Sequence, residues 1–239
     1  IEQITTTLLK DRTKSLTGGQ HQLSFVPQPA RQLPLTTTEK PEVTPEELYA
    51  LPHVFEHAKT FGSLLRIHDK LKAALPRLEK LLEKAGRADG MSAMYASMLL
   101  PLVRQAQFLA RQYDCVVANP PYMGSKGQNP QFKTFLKDNY EDVKSDLFSA
   151  FVIRNFELSK PNGELGFMSP FVWMFISSYE KLRMFIIEQK SITSLIQLEY
   201  SGFDGATVPI CTYTLANMPI PEFKGGYVRL SDFKGAENQ

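Results

Sequence analysis

The residues most suited to chemistry are Asn119-Pro120-Pro121-Tyr122, inside the stretch DCVVANPPYMG. Two consecutive prolines fix two φ angles, so the groups beside them have little entropy left to lose on binding. Neither proline carries an N–H. The local surface is therefore one of acceptors: the Asn119 side-chain oxygen and the Pro120 carbonyl. Two acceptors side by side suit a substrate that presents an NH₂ group. Tyr122 adds a flat ring able to stack on a planar partner. Together they describe a site for an aromatic amine such as the exocyclic nitrogen of adenine. Asn-Pro also starts ordinary turns, and the surrounding elements decide between the two readings.

Those elements are a strand and the loop that follows it. Asp114-Cys115-Val116-Val117-Ala118 reads as a buried strand, and in an open α/β sheet ligands bind beyond the carboxyl ends of the strands. Further on, SDLFSAFVIRNFELS reads as a helix capped by Ser145. PNGELGFMSP reads as turn, strand and stop, SSYEKLRMFIIEQ as an amphipathic helix, and SITSLIQLEY, TVPICTYTLA and GYVRL as strands. The alternation predicts an α/β fold with a mostly parallel sheet, closed by an antiparallel hairpin at its edge.

The segment before Asp114 has another character. Residues 1–43, rich in Thr, Gln and Pro, form a poorly patterned segment that is extended or partly disordered. Residues 44–112 read as a helical region. Thr44, Pro45 and Glu47 make a capping box, and Pro52 interrupts that helix or starts the next. Leu71, Leu75, Leu78, Leu81 and Leu82 follow helical spacing between Asp69 and Lys84, with a solvated basic face. Gly86 and Gly90 end it. A second long helix runs from about Ser92 to Gln112, kinked or restarted at Pro101, with a stripe of Met94, Met98, Leu102 and Leu109 expected to pack. Residues 113–239 then carry the sheet.

Composition excludes several classes. The 239 residues are 43% hydrophobic and 22% charged with a net charge of +2, ordinary for a globular protein. That charge neither argues for nucleic acid nor repels it. No apolar run reaches membrane-spanning length. Cys115 and Cys211 read as reduced core residues of a cytoplasmic protein, and no metal-ligand cluster is evident. The chain opens on Ile1 and closes on Gln239, and a segment of a longer protein is expected.

The stretch DCVVANPPY resembles the catalytic motif of the gamma-type N6-adenine DNA methyltransferases. Asp146 to Phe151, DLFSAF, is similar to that family's next motif, whose apolar residues wall the cofactor's adenine; Leu147 and Phe151 stand at the matching positions. LSKPNGELGFMSP resembles the turn-strand-proline stretch that follows. YSGFDGATVPICTYTL resembles a late motif in which an aromatic residue, here Phe203, packs against the flipped target base. HAKTFGSLLR and the ending GYVRLSDFKGAENQ look most like the large adenine methyltransferases of bacterial BREX phage-defence systems.

The resemblance implies a partial Rossmann-like methyltransferase fold with an N-terminal helical insert and S-adenosylmethionine as cofactor. The implied substrate is double-stranded DNA with one adenine flipped out, with other defence-system proteins as possible partners, in the bacterial cytoplasm and away from membranes. Asn119 and Pro120 would accept the N6 hydrogens, Pro121 would stiffen them and Tyr122 would stack on the base. A protein glutamine N5-methyltransferase shares Asn-Pro-Pro-Tyr and remains open, as do a cytosine N4- or RNA adenine methyltransferase and a non-catalytic docking module.

One part of the family pattern has no counterpart. No acidic-x-Gly-x-Gly stretch precedes Asn119, so the methionine end of the cofactor site is incomplete in this chain. AKTFGSL occupies the place of the family's third motif, without the acid expected near Lys59 or Thr60. Phe61 is left as the residue there that could pack on the cofactor ring.

Overall fold

The structure is a computed structural model and describes residues 43–198 and 208–230. Two compact units make up the chain: residues 1–58 with 65–110, and residues 59–64 with 111–239.

The first unit is helical. Helix α1 is Pro45–Phe55, started by the expected capping box: Glu47 N donates to Thr44 Oγ1 at 3.3 Å and Thr44 N to Glu47 Oε2 at 3.0 Å. Pro52 lies inside this helix and does not interrupt it. The second helix, α2, is only Ala58–Phe61 and runs into a 3-10 turn, Gly62–Leu64; residues 59–64 pack with the second unit. Helix α3, Asp69–Gly86, buries Leu71, Leu75, Leu78 and Leu82, leaving its basic residues in solvent as the spacing predicts. Helix α4, Met91–Ala110, is one element, with Pro101 inside it.

The methionine stripe departs from expectation. Helix α4 buries Ser92, Ala96, Leu99, Val103 and Ala106 against the leucines of α3, whereas Met94 and Met98 are 47% and 60% exposed. Small side chains at the contact let the two helix axes approach closely, and the bulky methionines are left outside.

The second unit is a five-stranded sheet with helices. Its strands are β1 Tyr113–Ala118, β2 Ser159–Pro170, β3 Ser191–Gln197, β4 Ile210–Ala216 and β5 Gly226–Arg229. Helices α5 Pro130–Asn139, α6 Leu147–Leu158 and α7 Glu180–Gln189 connect or cover them. The strand order is β1-β2-β4-β3-β5. β1 runs parallel to β2 and β3 to β5, while β4 runs antiparallel to both its neighbours. The α/β class holds, and so does the hairpin, formed by β3 and β4. Its place differs from the expected sheet edge: β4 inserts between β2 and β3, and β5 takes the edge. An interior place suits Ile210, Cys211, Tyr213, Leu215 and Ala216, all buried.

Within β2, Asn162 adopts φ +64 and makes the expected turn before the strand proper. Gly163 follows where a Cβ would meet Ser159 Oγ at 2.4 Å and Asp114 O on β1 at 3.0 Å, so a side chain here would press on both. Leu165, Phe167, Tyr213, Phe148, Leu182 and Ile186 form the core of this unit. Among the described residues β1 has a single sheet neighbour. Cys115 on that strand is consequently exposed, contrary to the core position expected of it, and Val117 is 76% exposed; Cys211 is buried as expected.

Candidate active site

β1 delivers Asn119-Pro120-Pro121-Tyr122 at its carboxyl end, where it lies alongside β2 through the pairing Ala118↔Phe167. Pro120 is buried and anchors the segment, Asn119 and Pro121 are exposed, and Tyr122 is half-buried. The Tyr122 hydroxyl donates to Asn119 Oδ1 at 3.2 Å. That bond fixes which way the amide faces: its oxygen is held beside the phenol, with one lone pair still available. Burial, with Cys211 nearby, pushes the Tyr122 phenol above its ordinary pKa. It stays protonated and remains a donor.

A buried cluster lies on the neighbouring strands. Tyr213 packs on Phe167 and Trp173 at ring separations of 5.4 and 5.2 Å, and its hydroxyl receives a hydrogen bond from Ser169 Oγ at 3.3 Å. Burial raises the Tyr213 phenol strongly and takes the Cys211 thiol to about 11. These groups are neutral packing, not acids or bases at physiological pH.

After Tyr122 the chain is pinned by a residue outside the expected site. Met123 N donates to Asp146 Oδ1 at 3.0 Å, and the same oxygen accepts from Phe148 N at 3.2 Å. Asp146, not Ser145, is therefore the N-cap of α6. A carboxylate oxygen reaches both its own helix and the distant loop, which a serine hydroxyl is too short to do. Leu147 N returns a bond to Met123 O at 3.0 Å, Gly124 forms a bridge with Asp146, and buried Gln128 donates Nε2 to Met123 O at 3.2 Å. Burial raises the Asp146 carboxyl despite the amides that oppose it. Asp146 in turn adds to the burial that takes Tyr179 to about 12.

Helix α6 carries Leu147, buried, and Phe151, half-buried; Leu147 joins the loop that leaves Tyr122 through its N–H to Met123 O. The segment around Phe61 docks on the same unit. Tyr140 Oη donates to Leu64 O at 2.8 Å and Arg154 Nε to Ser63 O at 2.9 Å. The Phe61 ring stacks on Phe135 at 4.0 Å with the planes 10° apart, and Phe132 lies 5.9 Å away. One face of Phe61 is thus already in use. Phe203 lies outside the described residues.

Asp146 and Gln128 were not singled out from the sequence. An aspartate before an apolar helical run signals a cap, but a bond to Met123 spans 23 residues and leaves no local trace. Among the described residues no group of His, Cys, Asp and Glu is arranged to hold a metal, and no helix is long and apolar enough to cross a membrane.

Residues 48–203 match the Eco57I restriction-modification methylase family. The chain is 38% identical over 183 residues to the adenine-specific methyltransferase BrxX of Escherichia coli O9:H4 (strain HS), covering 75% of this chain and 15% of that protein. It is 33% identical over 138 residues to the adenine-specific methyltransferase PglX of Lacticaseibacillus casei (strain Zhang), covering 55% and 11%. It thus spans about one-seventh and one-ninth of the lengths of these relatives. A class I S-adenosylmethionine-dependent methyltransferase structure from Listeria monocytogenes aligns at 16% identity and a TM-score of 0.41, over 99% of this chain and 75% of that one.

Proposed function

The chain belongs to the Eco57I restriction-modification methylase family, and from that premise we propose that it is the target-base half of an adenine-specific DNA methyltransferase acting in restriction-modification or phage defence. The observation that carries the reading is the Asn119–Tyr122 arrangement: a rigid double-acceptor surface at the end of β1, with a half-buried tyrosine whose hydroxyl lies 3.2 Å from the amide oxygen.

The target adenine leaves the duplex and enters the space above β1, at the cost of unstacking. Asn119 Oδ1 and the Pro120 carbonyl accept the two N6 hydrogens. This turns the nitrogen lone pair out of conjugation and toward the methyl donor; once methylated, N6 would shed one of its two hydrogens to water, since Asn119 and the Pro120 carbonyl are acceptors and not bases. Tyr122 stacks on the base, and Phe203 keeps its sequence-based role of packing against it. S-adenosylmethionine, when bound, supplies the electrophilic methyl group. Leu147 and Phe151 offer an apolar wall that fits the cofactor's adenine, and Phe61, buried and stacked on Phe135, would back it. Rate gain by these residues is positioning and electrostatics, with no covalent intermediate on the protein.

The fit is partial. Neither the sequence nor the described residues offer a Gly-rich strand-turn-helix for the methionine end, and among the described residues β1 pairs with β2 alone. In the intact protein, upstream strands would supply that half and DNA-reading regions would follow, in the bacterial cytoplasm. This 239-residue segment alone is then expected to bind S-adenosylmethionine weakly or not at all, and isothermal titration showing tight binding would overturn that division. For the activity itself, the intact protein and its Asn119→Ala variant are compared on unmethylated genomic DNA. A collapse of N6-methyladenine yield is expected; equal yields would reject the role of Asn119.

A further inference from the structure

Helix α6 and the loop leaving Tyr122 are joined by backbone bonds and by one side chain. Asp146 Oδ1 accepts from Phe148 N, inside the first turn of α6, at 3.2 Å and from Met123 N, one residue after Tyr122, at 3.0 Å. The junction is reinforced by Leu147 N to Met123 O at 3.0 Å and by the Gly124–Asp146 bridge. Below it, Ser149 Oγ lies 2.6 Å from both Asp146 O and Val143 O, and its single hydrogen, donated to one or shared between the two, holds the backbone that carries the carboxylate. On one side of the junction stands the ring proposed to stack on the target base. On the other stand Leu147 and Phe151, proposed to wall the cofactor.

We propose that Asp146 is a positioning residue that locks the target-base loop to the cofactor-side helix, its carboxylate completing the backbone junction that sets Tyr122 against the α6 wall. A capping aspartate needs only its own helix; a helix cap of equal quality is available from Ser or Asn. What distinguishes Asp146 is the second bond, made to an amide 23 residues earlier. The other bonds at Met123 are accepted by its carbonyl, from Leu147 N and Gln128 Nε2, whereas its N–H is held by Asp146. Without that acceptor, the peptide that follows Tyr122 loses one of its two anchors to α6 and can shift by the tenths of an ångström that matter for in-line transfer. The lock acts on kcat, because it orders groups for the transition state, and leaves the affinity of the α6 wall for cofactor alone.

This inference rests on the methyltransferase reading, and its test separates the two. In the intact protein, Asp146→Asn keeps an oxygen able to reach both amides. Asp146→Ser keeps a good cap for α6 but is one bond too short for Met123. Methyl transfer from labelled S-adenosylmethionine to unmethylated genomic DNA is measured with both variants and with Asn119→Ala, alongside thermal melting. The Asn variant is expected within about threefold of wild-type kcat, and the Ser variant to fall about tenfold or more, the loss of one charge-assisted hydrogen bond. The Ser variant should hold its melting temperature and its KM for cofactor within twofold. Both variants near wild-type activity would reduce Asp146 to a helix cap, and both falling tenfold would show that a reaching acceptor is not what matters; either overturns the inference. Wild-type protein that methylates no adenine overturns the underlying reading instead.

Discussion

Replacing Tyr122 dissects the site most sharply, because its ring and its hydroxyl have different jobs. Tyr122→Phe deletes only the donor to Asn119 Oδ1. The bond is neutral, 3.2 Å long and near the surface, at the weak end of the range, so its loss costs about 0.5–1 kcal/mol. If it orients the amide for the target nitrogen, kcat falls about two- to fivefold. Tyr122→Ala also removes the stacking face, worth about 1–3 kcal/mol for a base on an aromatic ring. The sum, about 1.5–4 kcal/mol, is roughly a 10- to 1,000-fold loss. Burial raises the Tyr122 phenol above its usual pKa, so the hydroxyl stays protonated as pH rises through the ordinary tyrosine range. Wild type and Phe variant should therefore keep a constant activity ratio across neutral and mildly alkaline pH. The assay is the initial rate of methyl transfer to unmethylated genomic DNA by the intact protein at saturating cofactor. A Phe variant faster than wild type would mean that the hydroxyl competes for Asn119 rather than orienting it. A Phe variant as damaged as Ala would mean that stacking is not the ring's contribution. Either result refutes the reasoning.

Other perturbations test the scaffold. Thr44→Ala removes one arm of the α1 capping box and is expected to cost about 1 kcal/mol, read as a lower denaturant midpoint with an unchanged slope. Leu78, fully buried among the leucines of α3, should cost about 2–5 kcal/mol as Leu78→Ala in the same titration; a loss below 1 kcal/mol would contradict its place in the core. Cys211, buried and with its thiol raised to about 11, should resist iodoacetamide at about pH 8 in the native protein and react on denaturation, as peptide mass spectrometry would report. Early labelling of Cys211 would contradict its burial.

The sequence by itself determined whatever depends on neighbours along the chain. Asn119 to Tyr122 announce a rigid acceptor surface because two prolines impose their dihedrals wherever they occur. Thr44 and Glu47 announce a helix start because their bonds span three residues. The leucines of α3 announce a buried face because helical periodicity is local. Tertiary structure decided what depends on distant partners. Cys115 reads as a core residue, yet it is exposed on a strand with one neighbour. The stripe of Met94 and Met98 reads as packing, yet the smaller residues of α4 win the contact with α3. Pro52 reads as a break or a new start and Pro101 as a kink or restart, and each packed helix continues as one element through its proline. β4 inserts between β2 and β3 because an antiparallel return places its apolar residues on both faces of the sheet interior. Phe61 finds Phe135 across 74 residues of sequence, and Asp146 finds Met123 across 23. Such pairings carry no signal in either element alone, because a hydrogen bond or a ring stack between them exists only after the backbone has brought both ends together.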